Sequence, residues 1–124
     1  MKQIMVVDDS FTIREMVSAC IEAEGRTIVQ AEDGAEALQL AQKTAFDFVV
    51  TDNNMPNMDG LTLVEELRKM DVHKDIPILM LSTESDPNLK QRGKEVGVTG
   101  WILKPINQAT FSSIVEKVLL RFGK

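Results

Sequence analysis

Five apolar stretches of strand length, each followed by a segment of helical period, constrain the fold of this 124-residue sequence more than any other feature. They are Gln3 to Val7, Thr27 to Ala31, Phe46 to Thr51, Ile78 to Leu81, and Trp101 to Leu103. Near-continuous apolar strands are typical of a parallel sheet that is covered on both faces and joined by right-handed crossovers. The alternation therefore predicts a doubly wound α/β domain of five βα units in three layers.

The helical segments carry start signals at their first residues. Ser10 is a candidate N-cap of the first segment, and Gly25 is a candidate stop after it. Asp33 opens the second segment with capping-box spacing to Glu36, and Asp59 precedes the third as its expected cap. The fifth segment has the clearest apolar stripe, formed by Phe111, Ile114, Val115, Val118, Leu119 and Phe122.

The fourth helical segment, Pro87 to Val96, differs from the others. Leu89 and Val96 are almost alone among polar and charged residues, which include Lys90, Arg92 and Lys94. Helices in globular proteins gain most of their stability from packing an apolar face. We therefore expect the fourth helix to be the least firmly packed.

The composition limits the classes of partner. Hydrophobic residues make up 44% of the chain, enough for a single core, so we expect one domain over residues 1–124 with no output domain. A formal net charge of -5 argues against general nucleic-acid binding. Cys20 is the only cysteine, and the N-terminus lacks the long apolar core of a signal peptide. We expect a soluble cytoplasmic protein without a membrane segment.

Chemically active side chains follow four of the five predicted strands. Asp8 and Asp9 come after the first, Asp52 after the third, Ser82 after the fourth and Lys104 after the fifth. In open α/β sheets, ligands bind beyond the carboxyl ends of the strands, where the winding direction reverses. These side chains are therefore expected to converge on one rim of the sheet.

Carboxylates that are brought together repel one another, so this arrangement is costly unless a cation neutralises it. Mg²⁺ prefers oxygen ligands and is typically held by one or two carboxylates together with a phosphate. Lys104 and the Ser82 hydroxyl are suited to the remaining oxygens of a phosphoryl group, with Asp52 as the oxygen nucleophile. The set predicts a Mg²⁺-dependent phosphoryl site.

Each of these residues also has an ordinary structural interpretation. Asp8 or Asp9 alone is more often a helix N-cap, and Lys104 alone is more often a solvated lysine. Their joint occurrence at four strand ends favours the site. His73 lies before the fourth strand, at the opposite end from that rim, and is expected at the surface; Cys20 is expected to fill core or loop space.

The motifs resemble receiver domains of bacterial two-component response regulators, and in particular the single-domain chemotaxis regulators of the CheY type. The stretches VVDDS, AEDGAEAL, TDNNMPNMDG, ILMLSTES and GWILKPI occur in the order and spacing of that family, over the whole chain. The resemblance implies a flavodoxin-like fold with strand order 2-1-3-4-5. It also implies a stoichiometric signalling protein rather than an enzyme that turns over substrate.

The resemblance assigns a role to each residue at the rim. Asp52 is the phosphoacceptor, and Asp8, Asp9 and Asp52 hold Mg²⁺ together with the backbone carbonyl of Asn54. Ser82 is assigned as the switch hydroxyl and Lys104 as the lysine that pairs with the phosphate. The peptide bond between Lys104 and Pro105 is expected to be cis.

The resemblance also implies a conformational switch. When Asp52 is phosphorylated, Ser82 moves inward and the aromatic residue of the fifth strand, Trp101, follows. The surface of the fourth helix, fifth strand and fifth helix then changes and binds a target. Asn54 and Glu84 are similar to the residues that set the lifetime of the phosphorylated state in fast-resetting chemotaxis regulators.

The expected partners are proteins that read or write this phosphorylation. A CheA-type sensor histidine kinase is the expected phosphoryl donor, and the flagellar motor switch is the expected target. A phosphatase is a further candidate partner, and the protein itself is expected to be a monomer. Departures from the family pattern are Trp101 for tyrosine, Ile106 for phenylalanine, Ser82 for threonine and Val98 for alanine. Trp101 bears most directly on output, because its ring is larger and has no hydroxyl.

Other functions remain open from the sequence alone. A phosphate sink or a phosphorelay shuttle needs the same phosphorylation site. A phosphatase of the haloacid dehalogenase type also uses an aspartyl nucleophile, but it needs a second acid at the position of Asn54. A flavodoxin-like nucleotide binder needs a phosphate loop where Asp8 and Asp9 stand, and these acids repel phosphate.

Overall fold

The computed structural model describes residues 2–122 and contains five strands that alternate with five α-helices. The strands are β1 Lys2–Val7, β2 Arg26–Ala31, β3 Phe48–Asp52, β4 Ile78–Ser82 and β5 Gly100–Leu103. The helices are α1 Phe11–Ile21, α2 Gly34–Lys43, α3 Gly60–Arg68, α4 Pro87–Val96 and α5 Gln108–Phe122. A 3-10 turn, Asp71–His73, precedes β4.

The strands form one parallel sheet in the order β2-β1-β3-β4-β5, which confirms the predicted fold class. The central strands β3 and β4 are buried along their whole length. β1 pairs with both β2 and β3, so the winding direction reverses between β1 and β3. The carboxyl ends of these two strands define the crevice in which a ligand is expected.

Each face of the sheet has its own core. Helices α1 and α5 cover one face, where Val17 and Ile21 pack with Phe111, Val115 and Leu119. Helices α2 and α3 cover the other, with α4 contributing the partly buried Leu89 and Val96. Two apolar layers around a buried sheet account for the near-continuous apolar strands of the sequence.

Capping residues begin the helices where the sequence indicates. Ser10 accepts a hydrogen bond from the Ile13 N–H, and Asp33 accepts one from the Glu36 N–H. Asp59 accepts a hydrogen bond from the Thr62 N–H, so its prediction as the cap of α3 is confirmed.

Several details differ from the sequence expectations. α1 ends at Ile21, ahead of Gly25, which has a φ of 84° in the following turn. The third strand begins at Phe48 rather than Phe46, although Phe46 is itself buried. Phe122 is 40% exposed, so the apolar stripe of α5 ends before it.

The prediction that His73 lies at the surface is wrong, because its side chain is fully buried. Its Nε2 accepts a hydrogen bond from the Phe46 N–H at 3.0 Å, and its ring stacks on the Phe46 ring. The imidazole thus satisfies a main-chain donor just before β3, and a surface position would leave that buried donor unpaired.

The fourth helix is weakly packed, as expected. Gly93 is its single buried residue, and its ends are closed by Asp86 at the N-cap and by Gly97 in the left-handed region at the C-cap. Within residues 2–122, no helix has both the length and the hydropathy needed to cross a bilayer.

Candidate functional site

Four strands bring polar side chains to one edge of the sheet. Asp8 directly follows β1, Asp52 ends β3, Ser82 ends β4, and Lys104 directly follows β5. The register aligns these ends, since Asp52 lies opposite Leu81 and Ser82 lies opposite Leu103. The parallel sheet therefore assembles the predicted rim from segments that are far apart in sequence.

Three carboxylates meet at this edge. Asp8 and Asp52 are 1% and 4% exposed, whereas Asp9 is exposed to solvent. One ligand oxygen from each of the three lies within 4.8 Å of the others. Two buried acids and one exposed acid thus form a cluster that is open to solvent on the side of Asp9.

Lys104 partly neutralises this cluster. Its Nζ lies 3.1 Å from Asp8 Oδ2 and 3.1 Å from Asp52 Oδ1, and its side chain is 17% exposed. Burial by itself lowers the pKa of Lys104, but the attraction of Asp8 and Asp52 outweighs burial, so the pKa is raised. The lysine is a fixed cation between the two acids.

The pKa of the Asp8 carboxyl is raised above its ordinary value. Burial is the main cause, and the neighbouring Asp52 charge adds to it, while the Ser10 N–H and Lys104 act in the opposite direction. One lysine does not balance three acids, and the carboxylate oxygens are the hard ligands that Mg²⁺ prefers. The donor set therefore fits a magnesium ion.

Asn53 is a residue of this region that the sequence analysis missed. It is 5% exposed, its side-chain oxygen accepts a hydrogen bond from the Leu61 N–H, and its carbonyl accepts one from the Gly60 N–H. A Cβ at Gly60 would collide with the Asp52 carbonyl oxygen. This close approach fixes the start of α3 against the end of β3. In the sequence, this role is indicated by an asparagine that directly follows the candidate nucleophile Asp52.

Ser82 and Trp101 both contact the loop that follows β4. The buried Ser82 Oγ accepts a hydrogen bond from the Glu84 N–H at 3.0 Å. The Trp101 Nε1 donates to the Glu84 carbonyl at 3.0 Å, and the ring itself is half-buried. The two predicted switch residues are thus joined through the main chain of one residue.

The remaining predicted residues lie around this centre. The Asn54 and Glu84 side chains are exposed, and no hydrogen bond joins either side chain to the acid cluster within residues 2–122. The peptide bond between Lys104 and Pro105 is cis. The structure therefore brings together Asp8, Asp9, Asp52 and Lys104, with Ser82 at the end of the neighbouring strand.

Comparisons with known proteins place the chain in a family. A family model described as the response regulator receiver domain matches residues 4–116. The chemotaxis protein CheY-3 of Vibrio cholerae is 37% identical over 120 residues, which cover 96% of this chain and 92% of that protein. The probable transcriptional regulator ycf27 of Porphyridium aerugineum is 33% identical over 123 residues, and the match covers 99% of this chain and 50% of that protein.

Solved structures extend the likeness to three dimensions. The chemotaxis response regulator CheY4 of Vibrio cholerae has a TM-score of 0.88 and is 45% identical, with 96% of this chain and 99% of that chain covered. The region matched by the family model includes the ends of β1, β3 and β5, which carry the acid cluster and its lysine, and the end of β4, which carries Ser82. The chain belongs to the response regulator receiver domain family, as a CheY-type module of two-component signalling.

Proposed function

We propose that this receiver domain accepts a phosphoryl group on Asp52 from a phosphohistidine of a CheA-type sensor histidine kinase, or from a small acyl phosphate. The observation that carries the proposal is Lys104 Nζ at 3.1 Å from both Asp52 and Asp8, beside three clustered carboxylates. An Asp52 oxygen attacks phosphorus, the bond from phosphorus to the donor imidazole breaks, and the donor histidine is released neutral once a proton replaces the phosphoryl group.

Each neighbouring residue has a defined role in this transfer. Asp8, Asp9, Asp52 and the Asn54 carbonyl are the proposed ligands of Mg²⁺, which when bound supplies charge neutralisation for the phosphoryl oxygens. Lys104 is close enough to Asp52 to pair with a phosphoryl oxygen on that side chain. No general base is required, because an ionised carboxylate is already nucleophilic.

The proposed signal passes from Ser82 to the surface around α4. In the present structure the Ser82 hydroxyl is engaged by the Glu84 N–H. A phosphoryl group on Asp52 offers this hydroxyl a charged acceptor, and turning toward it releases the Glu84 main chain. Trp101 is tied to the same residue through its indole N–H, so its position changes with the loop.

The proposed output is binding of a target protein by the surface of α4, β5 and α5. CheY-3 and CheY4 are described as chemotaxis proteins, which supports a chemotaxis role. The flagellar motor switch is the proposed target. The proposed site of action is the cytoplasm. A phosphate sink or relay shuttle uses the same chemistry, and it is distinguished by the absence of phosphorylation-dependent binding to a motor-switch peptide.

The central test is phosphorylation by acetyl phosphate in the presence of MgCl₂, followed by intact-protein mass spectrometry. The wild-type protein should gain one phosphate, and Asp52→Ala should gain none. Asp59→Asn is a matched control, because Asp59 is an exposed helix cap and its variant should still be phosphorylated. An unmodified wild-type mass after treatment with both acetyl phosphate and a phosphorylated kinase would refute the proposal.

A further inference from the structure

We propose that Arg14 is a positioning residue for the metal-binding acids: it fixes the main chain at Asp8 and thereby directs Asp9 toward Asp52. The inference rests on the proposed Mg²⁺ site and adds a residue of α1 to it. Arg14 contributes neither a metal ligand nor a contact with phosphate in this role.

The first observation is that every polar group of Asp8 has a defined partner. Its N–H donates to the Ala31 carbonyl at 3.2 Å, Oδ1 accepts from the Ser10 N–H at 2.9 Å, and Oδ2 accepts from Lys104. The fourth group, the Asp8 carbonyl, accepts a 2.7 Å hydrogen bond from Arg14 Nη1. The guanidinium thus completes the fixation of this residue.

Arg14 is itself held in place from several directions. Its side chain is buried, with 9% of the residue exposed, although α1 lies at the surface of the domain. Nε donates to Gln30 Oε1 at 3.1 Å, and the Gln30 amide donates in turn to Glu15 and Ser18. The Phe11 ring lies 5.7 Å from the guanidinium carbon. A guanidinium with fixed neighbours is a rigid support for a carbonyl.

Asp9 lacks such support. Its side chain is exposed, and within residues 2–122 it makes no hydrogen bond or ion pair. Its position in the acid cluster therefore depends on the main chain that precedes it. Without Arg14, the Asp8 carbonyl loses a charged donor, and the turn that carries Asp9 is held by fewer contacts.

Charge and positioning predict opposite effects of removing Arg14. Within the described residues, its hydrogen bonds go to a main-chain carbonyl and an amide oxygen, and no carboxylate forms an ion pair with it. A cation near a cation site weakens Mg²⁺ binding by repulsion, so loss of charge alone should tighten binding. Loss of positioning should weaken it. The sign of the change therefore separates the two roles.

The test is a titration of the full chain with MgCl₂. The amide NMR shifts of Asp9 and Asn53 report binding and give the Kd. Arg14→Met should raise the Kd for Mg²⁺ by about tenfold, which corresponds to about 1.4 kcal/mol. Arg14→Lys should restore part of the affinity. Gln30→Met leaves the net charge unchanged and removes the acceptor that holds Nε, so it should also raise the Kd, by a smaller factor.

Arg68→Met is the matched control. Arg68 also donates to main-chain carbonyls, those of Gly97 and His73, but it does so at the opposite end of the sheet. Its variant should lose thermal stability as Arg14→Met does, yet keep the wild-type Kd for Mg²⁺. This comparison separates general destabilisation from positioning of the acids.

An unchanged or lower Kd in Arg14→Met would overturn the inference while leaving the magnesium site intact. If Arg14→Met does not fold, Gln30→Met decides, and a wild-type Kd in that variant would overturn the inference as well. A wild-type protein that shows no shift with MgCl₂ would instead refute the proposed site itself.

Discussion

At the scale of single residues, His73 makes the stability of the fold depend on pH. Its Nε2 accepts the Phe46 N–H, so the folded state requires an unprotonated nitrogen there. Burial, together with the nearby Arg68 charge, lowers the pKa of His73 below its ordinary value of 6.5. In the unfolded chain, His73 regains the ordinary value. Its contribution to stability is therefore complete above pH 6.5 and is lost as the pH falls from there toward the lower folded pKa.

His73→Gln tests this dependence, because an amide oxygen accepts the same hydrogen bond but does not titrate near neutrality. We expect the wild-type advantage in free energy of unfolding to shrink between about pH 7.5 and about pH 5.5, by at most about 1.4 kcal/mol per pH unit. Urea unfolding of both proteins at each pH measures the difference in their free energies of unfolding. The titration of the carboxylates that both proteins share cancels in this difference. An advantage that stays constant with pH would contradict a neutral buried His73.

Asn54 and Glu84 carry a prediction about the lifetime of the signal. Both side chains are exposed near the strand ends that form the site, and we expect water to approach the proposed phosphoryl group on Asp52 from this side. The uncharged amide at Asn54 does not supply the acid-base function of a dedicated phosphatase. We expect spontaneous dephosphorylation within seconds to minutes after the donor is removed. Mass spectrometry of samples taken over time measures this loss of phosphate. A phosphoprotein that persists for hours would contradict this.

The sequence predicted some site residues more readily than others. Asp52 and Lys104 carry charges at strand ends, and the sheet topology then brings them together. Arg14 is a charged residue on an amphipathic helix, and such a residue is ordinarily predicted to be solvated. His73 has no periodic pattern around it. Both roles arise from single hydrogen bonds to main-chain groups, of Asp8 and Phe46, and such bonds leave no signal in residue type.

At the scale of secondary-structure elements, α4 and β5 meet at a point that a single methyl group would disturb. A Cβ at Gly93 would lie 3.1 Å from Trp101 Cζ3 and 3.2 Å from Trp101 Cε3. Gly93→Ala also gains helix propensity of about 1 kcal/mol. We expect the indole to move outward and its bond to the Glu84 carbonyl to weaken, so the tryptophan emission should shift to longer wavelength. The free energy of unfolding should therefore rise by less than the gain of about 1 kcal/mol that helix propensity alone would give.

Gln91→Ala is the control for this change, since Gln91 is an exposed residue of the same helix. Its tryptophan emission should match that of the wild type. If Gly93→Ala leaves the emission unchanged and gains the full propensity energy, then α4 and Trp101 are not coupled through this contact.

The elements also show where sequence patterns stop being informative. The apolar run from Phe46 predicts a strand, but pairing with β1 begins where Ile4 meets Phe48. Phe46 stays buried because its ring stacks on His73, which is a long-range contact. An apolar run reports burial, and the first paired residue is set by the neighbouring strand. Boundaries are therefore less predictable than the existence of each element.

At the scale of the whole molecule, strand order creates the site. Alternation of strands and helices predicts the layers, but it does not determine which strands are neighbours, and that order came from the resemblance. With β1 beside β3, Asp8 and Asp52 become adjacent at the point where the winding reverses. The clustered acids then oppose folding through their mutual repulsion, which a bound cation relieves.

This repulsion leads to a prediction about global stability. The proposed binding of Mg²⁺ to the folded acid cluster, and not to the unfolded chain, should raise the free energy of unfolding by about 2.7 kcal/mol at a concentration of about 100 times its Kd. Asp9→Asn removes the exposed charge of the cluster while keeping its shape. Without Mg²⁺, this variant should melt a few degrees higher than the wild type, and its melting temperature should respond less to MgCl₂.

Thermal unfolding followed by circular dichroism, with and without MgCl₂, measures both effects. Glu24→Gln is a suitable control, because Glu24 is an exposed acid in the turn before β2 and its variant changes the net charge by the same amount. If the metal-free Asp9→Asn protein melts below the wild type, repulsion is not the dominant contribution of Asp9.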